Sequence, residues 1–119
     1  MFLEFLKREE MQQTSIRVIL DEKGNILDYE STIKGLEYDK SEVIGKNWFD
    51  IFIEPEDQSK VLKLFNDNFY SNDLLDKSLW QHITDIKTKD QYHKLIDFEN
   101  TILVYDNGKK ALYLKGVEH

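Results

Sequence analysis

The sequence predicts an α+β domain, a single antiparallel sheet of five strands with helices over one face. Three observations carry this. Short runs near both ends of the chain alternate apolar and polar residues, the period of half-buried strands. Between them the pattern changes to helix caps and a helical apolar stripe. Strands and helices thus come in separate blocks, as in folds where helices collect on one face of an antiparallel sheet. At 119 residues the chain has the size of one domain, and no repeat or low-complexity linker divides it.

The elements follow in order. Met1 to Gln13 is rich in good helix formers, so residues 1–15 are expected as an N-terminal helix ahead of a domain over 16–118. Ile16 to Leu20 alternates, with Arg17 pointing away, and reads as a strand. Asp21-Glu22-Lys23-Gly24 is a turn in which Gly24 takes a positive φ at little cost. Ile26 to Tyr29 completes a hairpin. Asp39 and Glu42 have capping-box spacing, with Tyr38 and Val43 at the staple positions, and Gly45 is placed to end that short helix. Pro55 suits the first turn of a longer helix, and Glu56 and Asp57 favour its positive end. Val61, Leu62, Phe65 and Phe69 form its expected buried stripe, and Ser71-Asn72-Asp73 stops it. Leu79 to Lys87, Tyr92 to Tyr105 and Lys110 to Val117 are the remaining strands. The middle one is long enough to predict a bend or bulge. Asp106-Asn107-Gly108 reads as a type I′ hairpin turn.

Composition narrows the function. The formal charge is −7, and the 16 Lys and Arg residues are scattered. Nucleic-acid binding needs a concentrated basic surface and is disfavoured. An acidic membrane surface would repel the chain. With no Cys, disulfides, thiolate chemistry and Cys-ligated metals are excluded. No apolar stretch reaches the length of a membrane span, and the start lacks the order of a signal peptide. A cytoplasmic setting is the expectation. Nothing marks a catalytic carboxylate pair, a nucleophile elbow or a phosphate loop, so no enzymatic activity is expected.

Four pieces of sequence resemble PAS domains, the sensory modules of bacterial signalling proteins. Asp21-Glu22-Lys23-Gly24-Asn25-Ile26 is similar to the D-x-x-G-x-I turn that opens the family. Tyr38 with Glu42-Val43-Ile44-Gly45-Lys46-Asn47 resembles its Y-x-x-x-E-x-I-G-K-N stretch. Trp48-Phe49-Asp50-Ile51-Phe52 with Pro55-Glu56-Asp57 resembles W-F-x-x-F-x-x-P-E-D. Asn100-Thr101-Ile102-Leu103 with Asp106-Asn107-Gly108 resembles the closing N-T-x-L-x-x-x-x-G. The likeness runs from about Ile16 to Glu118, in order. One departure is Lys89-Asp90-Gln91, where the family has Lys-Asp-Gly. The resemblance implies strand order 2-1-5-4-3 and a ligand- or partner-binding module. It implies a homodimer formed through the helix before the first strand, and an output domain of the same parent chain, such as a histidine kinase or a diguanylate cyclase. Two readings stand beside it: a ligand-free PAS dimerisation module, and a small enzyme on a similar curved sheet.

The candidate residues are aromatic. Trp48, Phe52, Phe65, Phe69, Trp80 and Phe98 are candidates to line a pocket between sheet and helices, with plain core as the competing role. Phe2, Leu3, Phe5 and Leu6 are the candidate dimer contact, since so short an apolar helix seldom persists alone. In the family's flavin photoreceptors a Cys follows Asn, and here Trp48 follows Asn47, so no covalent flavin is expected. The 55–69 stretch holds no His, so no haem is expected either. His82 and His93 read as partly exposed strand residues and not as ligands, and no metal site is expected. A non-covalent small molecule is left as the ligand class.

Overall fold

A computed structural model describes residues 14–69 and 79–119. The expected N-terminal helix, with Phe2, Leu3, Phe5 and Leu6, lies outside these residues. Strands β1 (Ser15–Leu20) and β2 (Ile26–Ser31) come first. Helices α1 (Lys40–Val43), α2 (Trp48–Phe52) and α3 (Pro55–Phe69) follow, then strands β3 (Leu79–Lys87), β4 (His93–Val104) and β5 (Lys110–Glu118). The five strands form one sheet in the order β2-β1-β5-β4-β3, antiparallel at every pairing. Val18 faces Leu114 and Leu20 faces Leu112, which is the pairing that the resemblance implied.

Register aligns the inward side chains into rows. Leu20, Leu112 and Ile102 form one row; Val18, Leu114 and Asn100 the next; Ile16, Gly116 and Phe98 a third. All of these residues are buried. Of the two intervening rows, Arg17, Lys115 and Glu99 face water, and Ile19, Tyr113 and Thr101 are half-buried. A slip of one residue would exchange the two faces, so burial of one face specifies the register.

The three hairpin loops share one construction. Asp21, Thr88 and Tyr105 each donate their N–H to the carbonyl four residues on, at 2.9, 2.7 and 2.8 Å. Each also accepts from the N–H three residues on, at 3.0, 3.1 and 2.9 Å. The fourth residue in each is left-handed: Gly24 at φ +84°, Gln91 at +70° and Gly108 at +82°. This is a type I turn closed by a bulge residue in the left-handed region. The 106–108 loop is therefore not the expected type I′ turn, which needs positive φ at two residues, and Asn107 does not have it. The Asn107 side chain instead accepts from the Lys109 N–H at 3.0 Å, holding the turn from within.

Two more expectations are corrected. The long strand carries no bulge in its pairing: its ladders to β3 and β5 run unbroken over 93–101 and 96–104. Its middle is hydrogen-bonded on both sides, where a bulge would break two ladders. The register shift falls in the first hairpin, between Ile19 and Leu20. Leu62 is 41% exposed and not part of a buried stripe. Phe65, 5% exposed, lies one turn beyond Val61 on the inward face, and Leu62 is turned about 100° from Val61.

Local chemistry ties the helices to the sheet edge. The Asp39 N–H donates to Glu42 Oε2 at 2.9 Å, the reciprocal half of a capping box. Gly45, at φ +83°, ends the turn and donates to the Ile26 carbonyl at 2.8 Å. Asn47 caps α2, accepting from the Phe49 N–H at 3.0 Å and donating to the Lys23 carbonyl at 3.0 Å. The Gln58 amide donates to the Phe49 and Ile53 carbonyls at 3.1 and 3.2 Å, joining α3 to the end of α2. Gly24 serves twice, since a Cβ there would come within 2.5 Å of the Phe49 ring.

Candidate functional site

Between the inner face of the sheet and helices α2 and α3 lies a cavity of about 30 Å³. Trp48 and Phe49 close it from α2, and Val61 and Phe65 from α3. The sheet contributes Leu20, Thr84, Phe98, Asn100, Leu112 and Leu114. The rings meet edge to face: Trp48 on Phe98 at 6.0 Å and 82°, Phe49 on Phe65 at 5.4 Å and 76°. Such pairs are favoured over face-to-face stacks by the ring quadrupole. A volume of this size holds one or two waters. An organic ligand enters only if a wall moves.

Each wall has a separate origin. Trp48 and Phe49 are set by the Asn47 cap and by the close seat of Phe49 on Gly24. Phe98 lies over the backbone of Gly116, where a Cβ would sit 2.7 Å from the ring and 2.6 Å from Ile96 Cγ2. Thr84 (8% exposed) and Asn100 (1%) are the polar members of the wall, both on inward strand positions.

Of the pocket residues expected from sequence, Trp48, Phe65 and Phe98 line the cavity. Phe52 does not. It is fully buried and stacks on Tyr29 at 5.7 Å and 16°, with Tyr38 edge-on at 5.4 Å. It packs against Trp48 at 4.5 Å and joins that wall residue to the rings of Tyr29 and Tyr38 behind it. The side chains of Phe69 and Trp80 lie outside the described residues. Sequence reasoning missed Phe49, Thr84 and Asn100. The alternation of Phe98, Asn100 and Ile102 on one strand face was the available signal for the last.

Tyr29 anchors this group of rings. Its hydroxyl donates to the Leu36 carbonyl, and burial, with the neighbouring Tyr38, pushes its phenol well above the ordinary range. On the surface, the Asp39 N–H and the Lys89 ammonium hold the Glu42 carboxyl below its usual value. His93 is not part of the cavity wall. Its Nε2 lies 2.9 Å from Glu54 and its Nδ1 3.1 Å from Asp85, so both ring nitrogens face carboxylates, and the ring bridges the α2–α3 junction to β3. The side chain of His82 lies outside the described residues. Among the described residues no cluster of His, Asp and Glu has the arrangement of a metal site, and no helix is long and apolar enough to cross a membrane.

No family model and no curated protein matches the chain. Solved structures do. The quorum-sensing receptor RpfR PAS domain of Cronobacter turicensis, in complex with BDSF, is 25% identical, with a TM-score of 0.65 over 87% of this chain and 92% of that one. The PAS domain of an HTR-like protein from Haloarcula marismortui is 16% identical, with a TM-score of 0.66 over 99% and 95%. A PAS domain from a two-component sensor histidine kinase is 14% identical, with a TM-score of 0.62 over 99% and 96%.

Proposed function

Because this chain is a PAS domain, we propose that it is the sensory and relay module of a cytoplasmic signalling protein, binding a small ligand and regulating an output domain of the same parent chain as a homodimer. The supporting observation is the position of the cavity. Its sheet wall is built from Leu20 of β1, Thr84 of β3, Phe98 and Asn100 of β4, and Leu112 and Leu114 of β5. Strands β1 and β5 are paired at the centre of the sheet, and Ser15 at the start of one lies opposite Val117 near the end of the other. A ligand that reshapes the inner face acts on the two strands whose outer ends lead to the adjoining segments. The signal is then a shift between two populations, driven by the ligand's preference for one of them. The segment carrying Phe2, Leu3, Phe5 and Leu6 is assigned to the dimer contact, and no catalytic role is assigned to any residue.

The small volume of the cavity, about 30 Å³, favours a second reading in which the domain dimerises and relays without any ligand. Native mass spectrometry of the purified chain separates the two. A retained small molecule on a dimer supports the first. A bare dimer that binds nothing in a metabolite screen supports the second. If the intact chain and the version lacking residues 1–13 are both monomeric at high micromolar concentration, the dimeric relay is overturned in both readings.

A further inference from the structure

The cavity wall carries information about charge. Building on the sensing role proposed above, we infer that the ligand of this site is uncharged: a small, largely apolar molecule with one hydrogen-bonding group, held against Thr84 and Asn100. Among the described residues the wall contains no Lys, Arg, His, Asp or Glu. An ion moved into such a site loses its hydration with no counter-charge to replace it, and that penalty is several kcal/mol even after the protein relaxes. The net charge of −7 works further against an anion. A cation finds no better place. A cage for one needs open aromatic faces, and here the rings are already engaged edge to face, Trp48 with Phe98 and Phe49 with Phe65.

The polar pair sets the other half of the specificity. An amide has two donors and an acceptor oxygen with two lone pairs, and a hydroxyl donates once and accepts twice. Thr84 and Asn100 therefore have capacity to serve a ligand group beside a protein partner. Both belong to strands of the hydrogen-bonded sheet, β3 and β4, so the polar side of the wall is the rigid one. Val61 and Phe65 come from α3, outside the sheet. Enlargement of the cavity falls to that helix, and a ligand enters apolar end outward beneath Phe65.

Three probes that share a phenyl ring and one attached carbon test this on the whole chain: benzyl alcohol, benzoate and benzylammonium, titrated at neutral pH and followed by backbone amide NMR. Benzyl alcohol is expected to shift the amides of Thr84, Phe98, Asn100 and Phe65, with both ions at least tenfold weaker. Benzoate or benzylammonium binding as tightly at those amides overturns the inference and leaves the sensing role standing. No probe shifting those amides defeats the sensing role itself, and the inference with it. Thr84→Val, which keeps the shape, and Asn100→Leu are each expected to weaken benzyl alcohol several-fold with the dispersed spectrum retained. Unchanged affinity in Thr84→Val and in whichever variant folds overturns the assignment of the polar pair.

Discussion

Gln91 is the one described non-glycine residue with a positive φ, +70°. It occupies the place that Gly24 and Gly108 hold in the other two hairpin loops. A side chain there puts Cβ against the following carbonyl, at a cost of roughly 1–2 kcal/mol. Gln91→Gly removes that cost but adds freedom to the unfolded chain, which takes back roughly 0.4–1 kcal/mol. The expected net gain is about 0.5–1 kcal/mol, or roughly 2–5 °C in Tm for a domain of this size. The reciprocal change is Gly108→Ala. A Cβ at Gly108 meets nothing within 4 Å, so this substitution isolates the backbone strain from any clash. It should lower stability by about 1 kcal/mol. Urea unfolding followed by circular dichroism measures both, with an unchanged slope showing that only stability has moved. A loss of stability in Gln91→Gly, or no change in either variant, refutes the assignment of strain to this position.

Two further outcomes follow from the packing. Phe65→Ala should cost about 3–5 kcal/mol, because Phe65 is 5% exposed and its ring meets Phe49 edge-on beside an existing void; a loss below about 1 kcal/mol in urea unfolding would place it on the surface. Tyr29 should make the domain sensitive to alkali. Its phenol is raised in the folded state, so its contribution is complete below the unfolded value near 10 and declines as pH climbs from there toward the folded value. The urea midpoint should fall between about pH 9 and 11 and fall less steeply in Tyr29→Phe; equal slopes in the two proteins would remove Tyr29 from the account.

The element boundaries were legible because their signals are local. The Asp39–Glu42 capping box, Gly24 and Gly45 at positive φ, and the alternation of Ile16 to Leu20 each depend on neighbours a few residues away. The missing glycine at Gln91 was also visible as a departure from the pattern that the other loops keep. Strand order came from the resemblance and not from periodicity, which is the same for every pairing of five strands. What the tertiary structure alone decided is which of several equally apolar residues faces which neighbour. Phe49 and Phe52 stand three apart on one short helix, yet Phe49 closes the cavity while Phe52 stacks on Tyr29. Leu62 reads as core beside Val61 and lies half in water. Gly116 reads as an ordinary strand glycine until the Phe98 ring is found lying on it. Asn100 is one polar residue in a long strand until register sets it beside Leu114 in the cavity wall. Each of these depends on contacts between residues far apart in the chain, and hydrophobic burial, being non-directional, selects an inner face without selecting the partner that meets it.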